Sequence, residues 1–288
     1  MIKLLDREIM RNLVRRLFYF VRKSAVVILN ALLPRIFRLT VVESNEVGKI
    51  REVWSFLTEQ EQTFSLVRIG GSRDGGYFCP PDLSQISYVF SPGYGGVKNF
   101  EDELARKGKR TFICDSSYAQ VSDLLPLQEF EQFTLSGFTS LKSGRMSLPD
   151  WVDSKVGLET TNMLLQLDIE GAEWEVLNET NSDFLNRFDV VLIEFHDLDR
   201  LVSDKDFLSN AEMLFSKLKS NFLNVYCRAN NCGGTFTFLG RKLPKVVEIT
   251  LINRFYSYKF KRQEQALNIV DEDYLNNPDL PIIKLNNI

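Results

Sequence analysis

The residues best suited to chemistry in this 288-residue chain lie in two short stretches. Residues 164–177 read LLQLDIEGAEWEVL, an apolar run into Asp168, then Glu170, Gly171 and a helix start. Residues 189–195 read DVVLIEF, with Glu194 near the end and His196, the chain's only histidine, just beyond. Carboxylates at i and i+2 of an extended segment point the same way. Their charge at a site mouth is costly unless a metal, a cation or a substrate hydroxyl answers it. An imidazole titrates near pH 6.5 and suits a base at neutral pH. The expected roles are His196 as base, Asp168 and Glu194 orienting it or an acceptor, and Glu170 facing substrate. Asp168, Glu194 and His196 would also suit a divalent ion, Mg or Mn. The bland alternative makes Asp168 a helix cap, Glu170 and Glu173 dipole partners, and His196 a turn residue.

The elements that would position these residues follow an α/β pattern. Residues 88–90 read as a short buried strand, and Gly93, Gly95 and Gly96 as a tight turn. Asn99 is a candidate cap for a helix over 100–107. Residues 110–114 are the next strand, ending at Asp115. Strand, glycine turn, helix, strand and acid form the logic of a nucleoside site, in which the acid takes the ribose hydroxyls. By position, Tyr94 and Ser116 would touch the nucleoside. A second glycine-rich loop, LVRIGGSRDGGYF at 66–78, permits close backbone approach to a ligand.

Further elements complete the pattern. A helix is expected over 49–62 behind Gly48, a strand over 133–137, and a short helix from 148 capped by Ser147. An amphipathic helix over 204–219 turns Phe207, Leu208, Met213, Leu214, Phe215 and Leu218 inward. Residues 236–239 and 246–253 read as closing strands separated by Leu243-Pro244. Asn230 and Asn231 carry amides that both donate and accept, which suits acceptor hydroxyls; their alternative is a loop pair tolerating left-handed backbone.

Charge is unevenly spread. Residues 1–40 hold nine basic residues against Asp6 and Glu8, a net +7; the rest carries a net −10. An acidic body argues against broad nucleic-acid binding, which needs phosphate neutralisation. The basic, amphipathic head fits a membrane-surface anchor or a helix packed on the body or a partner subunit. Its apolar runs fall short of the ~20 residues a bilayer span needs, and it lacks a signal-peptide pattern. Cys79, Cys114, Cys227 and Cys232 have no CxxC spacing, so no zinc site is expected. Together these features point to the cytoplasm, with peripheral attachment at the inner membrane face as an option. The expected layout is an extension over 1–45, a main domain over 46–260 and a polar tail over 261–288.

DIEGAEWEVL at 168–177, IEFHDL at 193–198, NN at 230–231 and VVEITLINR at 246–254 resemble the FkbM-type S-adenosylmethionine-dependent methyltransferases. RIGGSRDGGYF at 68–78 and FSPGYGGVKNFEDELARKG at 90–108 resemble its branch with a DGGY loop. The resemblance covers roughly residues 64–254. It implies a Rossmann-like class I fold, with about seven mostly parallel strands and helices on both faces. It also implies S-adenosylmethionine as cofactor, with methyl transfer to an oxygen of a sugar or related small molecule. On this resemblance Arg68, Asp74, Gly75, Gly76, Tyr77, Gly93, Tyr94, Gly95, Asp115, Ser116 and Asp168 would bind the cofactor.

There are departures from the family pattern. Ser91 stands where the family's turn has an acid, and Val97 where it has a third glycine; Asp74 is the replacement expected to answer the methionine ammonium group. Tyr226 and Arg228 stand where the family often has histidines. Two rival readings remain. A nicotinamide oxidoreductase on a similar sheet would need the last glycine that this turn lacks. A non-catalytic binding or scaffold protein of a polysaccharide assembly would tolerate the altered turn.

Overall fold

The computed structural model describes residues 44–260, together with Arg262 and Leu285. The expected basic helix of the 1–45 extension lies outside the described residues, apart from its last two positions. Most of the 261–288 tail lies outside them too; Arg262 bridges to Phe64, and Leu285 packs against the core.

Helix α1 (Ser44–Thr58) opens the described chain. It buries Ile50, Val53, Trp54 and Leu57, the i, i+3, i+4, i+7 stripe of a helix lying on a core. Gly48 is inside this helix, not ahead of it. The chain continues through β1 (Tyr88–Pro92), α2 (Asn99–Arg106), β2 (Arg110–Cys114), β3 (Gln128–Glu131), α3 (Leu148–Lys155), β4 (Met163–Leu167), α4 (Glu173–Glu179), β5 (Phe188–Phe195), α5 (Lys205–Asn221), β6 (Phe222–Ala229) and β7 (Val247–Asn253). Shorter turns and hairpins are named by their residues.

The seven strands form one sheet in the order β3-β2-β1-β4-β5-β7-β6. β1 pairs in parallel with both β2 and β4, β2 with β3, and β4 with β5; β7 runs antiparallel between β5 and β6. All eight residues of β5 are buried, as a strand covered on both faces requires. Alternate residues feed two apolar layers. Met163, Leu165 and Leu167 join the layer containing α1, α3, α4 and α5, while Leu164 joins the layer under α2. The mixed α/β class and helices on both faces match the sequence reading.

Several local expectations change. Asn99 is the first residue of α2 and not its cap; Lys98 precedes it without a side-chain capping bond. Ser147 does cap α3, accepting from the Asp150 N–H. The strand expected over 133–137 shrinks to Thr134–Ser136, paired with Arg145–Ser147 outside the main sheet. The third sheet strand is instead the polar segment QEFE, which forms an edge. Met213 is exposed, because it falls on the solvent side of α5. Thr235–Phe238 does not close the main sheet. It pairs with Arg241–Pro244 in a separate hairpin, so Leu243 and Pro244 are strand residues. No helix among the described residues is long and apolar enough to cross a membrane.

Candidate active site

β4 and β5 are adjacent and parallel, with Leu167 opposite Ile193. Their carboxyl ends therefore release Asp168 and His196 side by side. Nε2 of His196 is 4.0 Å from Asp168, 3.5 Å from Glu170 and 3.9 Å from Glu194. These four side chains, given joint roles from the sequence, do come together. Its route differs from extended i, i+2 geometry, because Glu170 has φ 54 and turns the backbone left-handed directly after the strand. A second left-handed residue, Asp197 with φ 60, follows His196. Such conformations cost about 1–3 kcal/mol each and persist where surrounding structure enforces them.

The residue that holds His196 is Glu173, which sequence reasoning assigned only to the helix dipole. Glu173 is fully buried, and its Oε1 is 3.1 Å from His196 Nδ1. The same carboxylate accepts from the N–H groups of Ile169 and Gly171, so it also shapes the acidic turn. Asp168 is therefore not the cap. It accepts a hydrogen bond from the Tyr77 hydroxyl at 2.9 Å. Trp174 donates from its indole to the His196 carbonyl at 2.9 Å, so α4 grips the histidine at ring and backbone. A Glu at a helix start is so often exposed that its type gave no hint of this burial. Only the adjacency of β4 and β5 brings it to the ring.

Burial alone would lower the His196 pKa, but the hydrogen bond and charge of Glu173, with Asp168 and Glu170, raise it to about 9. The charged form is thus favoured at pH 7, so the expected base first has to give up a proton. Burial raises the pKa of Asp168, against the hydrogen bond from Tyr77 and the charge of His196. Burial also raises that of Glu194, reinforced by Asp168 and Glu248. Asp168, Glu173 and His196 each present a ligand atom within 4.8 Å of the others. That set, and not the expected one with Glu194, has the spacing to hold a cation. Glu194 is instead held by Asn230, whose Nδ2 donates to it at 2.5 Å.

Asp168 and Glu170 line one wall of a cavity of about 350 Å³; Gly93, Tyr94, Gly95, Asp115 and Ser116 line the other. The cavity opens where the sheet order reverses between β1 and β4, the place where doubly wound sheets bind ligands. Gly93 has φ 92, and a Cβ there would lie 1.7 Å from the Asp168 carbonyl oxygen. Only glycine lets the turn pass this close to the acidic strand end. Asp115 accepts from the Gly95 N–H at 3.2 Å and the Ser117 N–H at 2.7 Å, tying its carboxylate to the turn.

The 66–78 loop is a hairpin, Val67–Ile69 against Tyr77–Cys79, which delivers Asp74, Gly75 and Tyr77 to the cavity. Arg68 and Gly76 are not on its lining. Arg68 donates to the carbonyls of Gly71 and Arg73, and Gly76 packs beneath Arg68, so both serve the loop's own shape. Asn230 and Asn231 are buried away from the lining; the Asn230 oxygen accepts from the Cys232 N–H. Neither presents the free amide expected for an acceptor. Glu101 is a buried acid that the sequence did not single out, and it lines the cavity beneath the glycine turn. Compared with known proteins, the chain matches no family model and no curated protein sequence.

Proposed function

We propose that this protein is an S-adenosylmethionine-dependent methyltransferase that O-methylates a sugar hydroxyl of a glycan or related small molecule. The observation that carries the reading is a cavity at the sheet's reversal point, with a glycine turn and Asp115 on one side and acidic Asp168 on the other. The residues suit such a cofactor. Asp115 is available to a ribose diol, Tyr94 and Phe133 offer ring faces to a base, and Asp74 and Asp168 offer negative charge to an ammonium or sulfonium. When bound, the sulfonium supplies an electrophilic methyl group.

The protein's part is to hold the acceptor hydroxyl in line and remove its proton. Glu173 at Nδ1 fixes the tautomer and leaves Nε2 toward Asp168 and Glu170 at the cavity edge. Once it has lost its own proton, Nε2 receives the acceptor's. A positive charge arriving in the cavity opposes the imidazolium and favours that loss. Asp168 and Glu170 orient the hydroxyl, and Glu194 is held beside them by Asn230. A divalent ion, Mg or Mn, is the second way to answer this charge, favoured by the Asp168, Glu173 and His196 spacing.

Calorimetry with S-adenosylhomocysteine and with NAD, followed by transfer of labelled methyl groups to glycan acceptors with and without EDTA, tests the reading. The methyltransferase reading expects S-adenosylhomocysteine binding and labelled product. Binding of NAD alone turns the reading to an oxidoreductase. Cofactor binding with no product from any acceptor favours a scaffold.

A further inference from the structure

A buried chain of polar side chains runs under the glycine turn, from Glu101 on α2 to Asp168 at the end of β4. Glu101 contacts the hydroxyl of Ser91; Ser91 contacts Oε1 of Gln166 at 2.6 Å; Gln166 Nε2 meets the Tyr77 hydroxyl at 2.9 Å; and Tyr77 meets Asp168 at 2.9 Å. Each of these four contacts needs one hydrogen. Ser91, Gln166 and Tyr77 supply one each, so three hydrogens serve four contacts. Turning the Gln166 amide over leaves the count unchanged. With both end acids ionised, two acceptors would face each other inside the protein, where an unmade hydrogen bond is expensive. The missing hydrogen must come from an acid.

We propose that Glu101 supplies it: Glu101 is a protonated positioning residue that starts a one-way chain of donors, through Ser91, Gln166 and Tyr77, ending on Asp168. The two ends are not equivalent. Burial raises Asp168 as well, to about 7, but its side chain is 22 % exposed and the charge of His196 beside it opposes the rise, whereas Glu101 has no such partner. Glu101 is 6 % exposed and has no cation in contact. The charged groups nearest it are Asp102 and Lys98, both on or beside its own helix, and Lys98 is already paired with Asp102 and Asp123. From β1 it meets the Ser91 hydroxyl, which in turn meets Gln166 on β4. Burial, opposed mainly by the Ser91 hydrogen bond, raises its pKa to about 7.

The chain explains why a serine is compatible with this turn. Ser91 is a relay between two neighbours, a task that a carboxylate at that position would not perform. It also makes the cavity floor neutral at Glu101, leaving Asp74 and Asp168 as the acids for a cationic group. This inference stands on hydrogen-bond counting and does not rest on which cofactor binds.

Infrared difference spectra and thermal unfolding of the full chain across pH 5.5–8.5 (about one and a half units either side of 7) test it. The expected spectrum contains a protonated-carboxyl carbonyl band that Glu101→Gln removes. In Ser91→Ala the band moves instead of vanishing, because the acid keeps its proton but loses its acceptor. Glu101→Gln retains a donor, so it matches the wild type at the acid end and gains in Tm over it as pH rises. An ionised Glu101 predicts the opposite: no band that Glu101→Gln removes or that Ser91→Ala moves, only those of other buried acids such as Glu194 left unchanged, and a Glu101→Gln deficit that does not shrink with pH. Either result overturns the proposal, and the Ser91→Ala spectrum decides it if Glu101→Gln does not fold.

Discussion

The two walls of the cavity are built by different means. On the β1–β2 side, backbone does most of the work: a turn of left-handed glycines, and an acid at a strand end tied to the turn by N–H groups. On the β4–β5 side, side chains do it: Asp168 and Glu170 line the cavity, backed by His196 and by the almost fully enclosed Glu173 and Glu194. The first wall is shaped to receive a ligand closely. The second stores unfavourable charge, and burial and neighbouring charge push Asp168, Glu194 and His196 away from their ordinary values. Binding sites can be assembled from local turn chemistry, whereas proton-handling sites need charges that only tertiary packing can bring together and desolvate.

If the division holds, variants on each side separate chemistry from binding. The largest expected effect is His196→Ala, which cuts methyl transfer by roughly 10²–10⁴-fold and changes cofactor Kd by less than ~10-fold. Turnover assays and calorimetry on one preparation check this, and parallel loss of both breaks the division. Gly93→Ala comes next, because its Cβ would collide with the Asp168 carbonyl and disturb both walls at once. It should cost roughly 3 kcal/mol or more of unfolding free energy in urea titrations. Asp115→Ala should weaken cofactor binding by about 10-fold while turnover at saturating cofactor is retained, as calorimetry and kcat together report.

The pH behaviour sharpens the second wall. His196 has a folded pKa of about 9, above its ordinary 6.5. Its contribution to stability is therefore fully present below pH ~6.5 and is lost as pH rises through about 9. The raised Asp168 and Glu194 act in the same direction, since the fold favours their protonated forms. Chelator-treated wild type should thus lose Tm from pH 6.5 to 9, and His196→Gln should lose less. The smallest expected effect is in Glu173→Gln, where the single histidine signal in NMR titrates lower by about one pH unit, ~1.4 kcal/mol. An unchanged midpoint would show that Glu173 does not set the ring's charge.

The first wall was readable in the sequence because its determinants are local. Glycines at 93, 95 and 96 and an acid after the next strand are short-range signals, and all line or shape the cavity. Asp168, Glu170, Glu194 and His196 were also legible, since strand ends reveal themselves where apolar runs stop. Glu173 was not, because nothing in its type or spacing separates a buried helix-start acid from an exposed one. Arg68, Gly76 and Asn230 lie off the cavity lining, and their sequence did not reveal it for a related reason: a loop residue can serve the loop's own backbone as readily as a ligand. β3 went unseen because an edge strand of sequence QEFE carries little apolar signal.

The placement of β7 bears on how the chain reaches this state. A strand from near the end of the described chain is threaded between β5 and β6, which precede it in sequence. Until residues 247–253 leave the ribosome, β5 has an open edge and β6 has no neighbour in the sheet. Nascent chains halted before Val247 would expose that hydrophobic ladder and be prone to self-association. Quality control of this protein during synthesis thus depends on its last sheet strand arriving promptly.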